Sequence, residues 1–336
     1  MVFCLPGIFA FLFFLWMVSS AFPQNVKLLE AAKEEGKVTV YGSLEYYVAD
    51  EIKAAFQKQI GIRVDYWRAA WCDVTERVLN EYRDGNPAFD VVLTNTTEMR
   101  VMLKEGVFAD YKSPSAKDLP RDSKEPQLGP RYRGVIIGIV YNKNRLKSAD
   151  APRSLDDLLK PQFRGKLVMP DPSQHSTTTQ WLASLYKIMG KAKADKFIRD
   201  LAATKPILEE SLMPAAERVG NGDAPIAITY LKYILGYPQN QVPLDYVRVG
   251  KMLGEGHHMG LSKKAPRPNA GKAFIDFFLG DESMSIMAKH GAFVSRKGIY
   301  PPLPDADKVQ FVQMDDFDAD ALKEKQQEYG KIFLHK

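Results

Sequence analysis

From residue 26 onward the apolar positions switch repeatedly between the period of a helix and the period of a strand. Residues 26–35 read as a helix that stops at Gly36, a residue suited to a helix C-terminus. The run KVTVY at 37–41 alternates like a strand. Val48, Ile52, Phe56 and Ile60 then recur every four residues, which is one face of a helix. The same alternation continues. A strand is predicted over 62–67, followed by a helix carrying Val74, Val78, Leu79 and Tyr82, with Asp73 and Glu76 as its capping pair. A strand over 89–93 leads to a helix over 99–105 closed by Gly106. Strands alternating with helices imply a parallel sheet with crossover helices, and ligands bind such sheets at the carboxyl ends of the strands. That rule selects three loops: 42–47 with Ser43, Glu45, Tyr46 and Tyr47; 68–72 with Trp71 and Cys72; and 94–97 with Thr94 and Thr96. Each has a plain structural reading too, since Ser43 and Thr96 suit helix caps and tyrosines suit packing.

The polar stretch 114–130 reads as a surface loop, and 135–142 is the longest apolar strand signal in the chain. Residues 154–181, SLDDLLKPQFRGKLVMPDPSQHSTTTQW, come next. Ser154 opens a short helix with Leu155, Leu158 and Leu159 inward, 166–169 forms a strand, and the PDP turn stops it. Ser173, Ser176 and Thr177 then crowd the entry of a helix that continues through Trp181, Leu182, Leu185 and Met189. A helix start has unpaired N–H groups and a partial positive charge, so hydroxyls there form either plain caps or a site for an oxygen-rich anion. Further helices are predicted over 191–203, after Ser211 and over 319–333, with strands over 206–208 and 225–229. Tyr230, Tyr233 and Tyr237 follow the last of these strands.

The first 21 residues differ from everything after them. Residues 2–18 are almost wholly apolar, no charged side chain precedes Lys27, and the small residues at 19–21 offer a cleavage point. This reads as a secretory signal, with an uncleaved membrane anchor as the alternative. A length of 336 residues with 45% hydrophobic and 26% charged residues implies two soluble domains with ample core. The net charge of +5 contains no long basic block, so no nucleic-acid partner is expected. Beyond Cys4 the only cysteine is Cys72, which excludes an internal disulfide in the mature chain. The sequence lacks G-x-S-x-G, P-loop, H-E-x-x-H and paired-cysteine motifs, so no enzyme is predicted. Glu45 and His175 are the only acid–base candidates a rival enzyme reading can name. The neighbours His257 and His258 point to opposite faces of a strand, so at most one of them faces a cleft.

Taken together, the motifs resemble the extracellular solute-binding proteins of ABC importers, in the branch described as iron(III)-binding, whose relatives bind thiamine, polyamines or phosphorylated small molecules. The resemblance rests on the stretch 154–181, on VTVYGS at 38–43, on GIVYN at 138–142, on SKKAPRPNAGKAFIDFFLG at 262–280 and on AKHGAFVS at 288–295. It implies an α/β, two-lobed periplasmic-binding-protein type II fold. Each lobe would hold a mostly parallel sheet flanked by helices, and two crossing strands near 133–138 and 254–260 would join them. The expected division is a signal at 1–21, a first lobe of 22–134 plus 260–336, and a second lobe of 135–259. The implied role is periplasmic capture of a small ligand for an inner-membrane ABC permease by a monomer that makes or breaks no bond.

The resemblance also implies the ligand candidates. Ferric iron, as cargo and not as cofactor, prefers oxygen donors such as phenolate. Relatives carry adjacent tyrosines where Tyr230 stands, which makes Tyr230 and Tyr233 the candidate metal ligands. This chain reads Tyr-Leu-Lys-Tyr there, and Ser43-Leu44 occupies the place where a histidine is expected. The alternative is a phosphorylated or other organic anion held by Ser43, Thr94, Ser173, Ser176, Thr177 and Tyr230, with Trp67 and Trp71 either stacking on it or packing in the core.

Overall fold

The computed structural model describes residues 23–334 except 118, 120–127, 148 and 238–240. The apolar segment read as a signal lies outside the described residues, as does much of the polar loop expected over 114–130. In chain order, α1 (Pro23–Glu35), β1 (Lys37–Gly42), α2 (Tyr46–Ile60), β2 (Arg63–Arg68), α3 (Trp71–Arg83), β3 (Val91–Asn95) and α4 (Thr96–Lys104) reproduce the predicted alternation. The first crossing strand β4 (Arg133–Asn142) follows. Beyond it come β5 (Leu167–Pro170), α5 (Ser176–Ser184), α6 (Tyr186–Met189), α7 (Lys191–Ala203), β6 (Ile207–Glu209), α8 (Leu212–Gly220), β7 (Ile226–Tyr230) and β8 (Leu244–Tyr246). The return strand β9 (Lys251–Leu261) leads to α9 (Pro268–Phe278), α10 (Asp281–Lys289), β10 (Phe293–Val294), β11 (Gln310–Gln313) and α11 (Ala319–Phe333).

Local chemistry explains most of these boundaries. Val48, Ile52 and Phe56 on α2 are buried, and the helix ends at Gly61, whose φ of 81° only glycine adopts readily. On α4 the Asn95 side chain accepts a hydrogen bond from the Glu98 N–H at 3.0 Å. The capping pair expected at Asp73 and Glu76 is not the start of α3. That helix begins two residues earlier behind Ala70, which leaves Asp73 in the first turn, where its charge suits the positive helix end.

The strands run in the order β2-β1-β3-β9-β4-β7-β5-β6. On one side β1 pairs in parallel with both β2 and β3, and on the other β5 pairs in parallel with β6 and β7. The two halves are joined by antiparallel pairing of β4 with β9, Arg133 opposite His257 and Ile136 opposite Gly254. The rest of β4 then turns to β7 and β8. All ten residues of β4 are buried, which is why this run reads as continuously apolar. A third segment, β11, runs parallel to β9, with Gln310 opposite Lys251.

Helices α9 and α10 return to the first half. The Glu35 carboxylate at the end of α1 accepts from the Ala270 N–H at 2.6 Å and from the Asn269 side chain at 2.8 Å, closing the open N-terminus of α9. Phe274 and Phe278 join Val38, Val40 and Phe56 in one hydrophobic cluster. The tail behaves differently. Tyr329 and Phe333 of α11 belong, with Met314, to the cluster of Leu167, Trp181 and Phe197, so α11 packs on α5 and α7 and not on α9 or α10.

Gly254 sits where the two halves meet, and a Cβ there would stand 2.6 Å from the Val135 carbonyl oxygen. A backbone atom in a paired strand cannot rotate away. Gly254→Ala is expected to lose about 1–3 kcal/mol, seen as a lower urea midpoint at unchanged m-value. An unchanged midpoint would show that the crossing is looser than this geometry.

Candidate ligand site

The carboxyl ends of β1 and β3 touch. A Cβ at Gly42 would lie 2.6 Å from the Leu93 carbonyl oxygen, so glycine permits the approach. Immediately beyond, the Ser43 hydroxyl meets the Thr94 hydroxyl at 3.0 Å, and Thr94 is fully buried. The Thr96 hydroxyl donates to the Gly256 carbonyl at 2.9 Å, which ties this loop to the crossing strand β9.

Two residues after Ser43, Glu45 stands at the N-cap position of α2. Its carboxylate accepts from Arg133 Nη1 at 3.1 Å and from Lys232 Nζ. Arg133 begins β4 and its side chain is only 4% exposed, so the pair is largely shielded from water. Burial alone would raise the Glu45 pKa, but the Arg133 and Lys232 charges outweigh it and hold the carboxyl far below the usual range. Lys232 lies two residues after Tyr230, so its bond to Glu45 brings the loop of Ser43 against the loop after β7. The Lys232 ammonium also stands 5.4 Å and 5.5 Å from the Tyr230 and Tyr233 ring centres.

A second cluster forms around Glu255 of β9. Thr177 donates to one carboxylate oxygen at 3.2 Å and Tyr230 to the other at 3.3 Å. Burial raises the Glu255 pKa, and the two hydrogen bonds only partly counter it. Burial, then the Glu255 charge, pushes the Tyr230 phenol well above its ordinary value, and burial takes Tyr233 to about 12. The rings of these tyrosines are 5.7 Å apart. Leu231, at the place of a second adjacent tyrosine, is fully buried beneath Gly138, where a Cβ would come within 2.6 Å of it.

The structure therefore gathers Ser43 with Thr94, and Thr177 with Tyr230, around the Glu45–Lys232 contact. Ser176 opens α5 next to Thr177. Ser173 lies apart, its hydroxyl on Asp171 at 2.7 Å and its Cβ against Gly330 of α11. The N-cap of α5 is His175, whose ring takes the Thr178 N–H at 3.3 Å, and burial lowers its pKa. Trp67 packs on Tyr41 at 4.9 Å beneath the Arg77 guanidinium, whereas Trp71 is exposed. His258 is bonded to the Gly129 carbonyl at 2.8 Å, and the buried His257 Nδ1 has no hydrogen-bond partner among the described residues. Arg133, Lys232 and Glu255 were missed as site residues in the sequence. The signal for the first was a charge opening the most apolar strand, and for the second a lysine inside the tyrosine loop. Among the described residues, no group of three or more His, Cys, Asp or Glu is placed to hold a metal ion, and no helix is long and apolar enough to cross a membrane.

The sequence profile of the bacterial extracellular solute-binding proteins matches residues 86–320, most of the chain and every element from β4 to β11. The chain belongs to that family. Iron uptake protein A1 of a Synechocystis strain is 23% identical over 287 residues, covering 79% of this chain and 77% of that protein. The fold superposes on iron-bound HitA from Pseudomonas aeruginosa with a TM-score of 0.67 at 17% identity, over 89% of this chain and 98% of the other. It also superposes on AfuA from Actinobacillus pleuropneumoniae, solved with fructose-6-phosphate bound, with a TM-score of 0.61 at 17% identity, over 90% and 97% of the two chains. The expected solute-binding family and its α/β binding-protein fold thus hold. The family supplies substrate-binding components of ABC importers. The chain's partners are accordingly a small solute and a membrane permease, and its work is capture, not catalysis.

Glu255 sets a pH dependence. Its folded pKa is raised, so the folded protein binds its proton more tightly than the unfolded chain does. That contribution is complete below the unfolded value near 4.5 and is lost as pH rises through the folded pKa. Glu255→Gln keeps one acceptor oxygen and turns its amide N–H to the other hydroxyl, which can accept it, and should gain stability relative to the parent as pH rises above about 4.5. Urea midpoints of both proteins across pH 4–8 check this, and parallel curves would count against it. Replacing Arg133 by Met strands Glu45 with Lys232 alone, and should cost about 3–5 kcal/mol in the same denaturation assay.

Proposed function

We propose that this chain captures a small solute bearing an anionic group in the periplasm and delivers it to an inner-membrane ABC permease. The observation that carries this reading is the pair of cations, Arg133 and Lys232, facing one carboxylate at the cleft beside the Ser43, Thr94 and Thr177 hydroxyls. Charged donors flanked by hydroxyls favour a phosphorylated or carboxylated group. The relative solved with fructose-6-phosphate shows that this fold accepts such a solute. The lobes we assign are 23–134 with the returning helices α9 and α10, and 135–259 with the tail helix α11. Closure of one lobe on the other would enclose the solute.

A ferric cargo is the second reading. It is favoured by the Tyr230 and Tyr233 rings, 5.7 Å apart with Glu45 and Glu255 close by, and by the names of the iron-binding relatives. Against it stand the buried Leu231 in the second tyrosine position and the Lys232 ammonium over both rings. Titration calorimetry with phosphate esters, phosphonates, carboxylates and ferric citrate separates the two. The anion reading expects a colourless, salt-sensitive complex that Lys232→Met weakens about 10–100-fold. It also expects Tyr230→Phe to cost about 0.5–1.5 kcal/mol of binding. A coloured ferric complex that Tyr230→Phe abolishes would overturn the anion reading in favour of iron.

A further inference from the structure

The Glu45 contact has three members on three separate parts of the fold. Glu45 is on the loop after β1, Arg133 on the crossing strand, and Lys232 on the turn after β7. The bond from Glu45 to Lys232 therefore spans the two lobes assigned above, using only side chains of this chain. Backbone packing reinforces it. Gly291, at the end of α10 with φ of +90°, leaves no room for a side chain, because a Cβ there would stand 2.9 Å from the Lys232 Cβ and 3.3 Å from Leu235. The Tyr47 and His290 rings, 5.0 Å apart, flank the same contact. A carboxylate thus already occupies the two cations that an incoming anion needs.

We propose that Glu45 is a built-in competitor of the ligand: its carboxylate latches the lobes through Lys232 and is displaced only by an anion carrying more charge than one carboxylate. The inference rests on the anion reading given above. A singly charged carboxylate entering the site exchanges one carboxylate for another and gains little over the resident one. A doubly charged tetrahedral oxyanion gains a second charge against the same two donors, so Glu45 sets a threshold of ligand charge. Displaced, Glu45 turns toward solvent from its partly buried N-cap position on α2.

The test combines small-angle scattering with calorimetry using inorganic phosphate and acetate as probes. Glu45→Gln keeps the shape and removes the charge, and Lys232→Met removes the same latch from the other side, so the loss of folding by one variant leaves the other to decide. Both variants should show a larger radius of gyration in phosphate-free buffer. Their phosphate affinities should diverge: Glu45→Gln binds about tenfold more tightly than the parent, and Lys232→Met binds more weakly. Acetate, too weak to measure in the parent, should become measurable in Glu45→Gln. An unchanged radius with phosphate still bound overturns the latch and leaves the anion reading standing. A larger radius with no phosphate binding by the parent or by Glu45→Gln overturns the anion reading and the competitor role with it. An ion pair of purely structural use would open both variants and tighten neither, which also overturns the proposal.

Discussion

The antiparallel pairing of β4 with β9 is the constraint on which everything else depends. Both strands are buried along nearly their whole length, so each backbone N–H and C=O must find its partner within the sheet. The pairing is also crowded. A Cβ at Gly134 would strike the Phe311 ring at 2.5 Å, and one at Gly256 would meet the Gln313 side chain at 2.4 Å. Small residues at these points let β4, β9 and β11 lie against one another. Sliding one strand by a residue would turn Arg133, Glu255 and His257 to opposite faces and dissolve the site.

The charges at this crossing are costly to place and are useful for that reason. A nearly buried guanidinium is tolerated only beside an anion, and here Glu45 supplies the charge that lets Arg133 stay where the strand puts it. Glu255 solves the opposite problem without a cation at bonding distance, relying on two hydroxyl donors while burial keeps its proton affinity high. The cleft therefore holds one carboxyl that stays ionised and one whose proton is easily retained. Two acids of the same type differ because their neighbours differ.

Most of the fold was legible in the sequence because apolar periodicity is local. The four-residue spacing from Val48 to Phe56 and the unbroken apolar run of β4 needed no tertiary information. The short strands β8, β10 and β11 were not legible: β5 and β6 are as short but sit between clear helix patterns, whereas β8, β10 and β11 do not. The candidate site was legible in part. The strand-end rule led to Ser43 and Thr94, and the resemblance led to Tyr230. Arg133 and Lys232 escaped because their partner Glu45 lies 88 and 187 residues away, and a lone basic residue reads as solvated. Ser173 looked equivalent to Thr177 four residues on, but only the packing of α11 shows that it faces another way.

The return of the chain late in the sequence has a consequence for how the protein is made. The cluster built on Val38, Val40 and Phe56 is completed by Phe274, Phe278 and Met284, and the one built on Leu167 and Trp181 by Met314, Tyr329 and Phe333. Neither cluster is built from a continuous piece of chain, so neither can close while synthesis is still in progress. The last of these contacts can form only once the residues near 333 have emerged. Until α11 has emerged the second cluster stays open, which is the form in which a chain can still be threaded through a membrane.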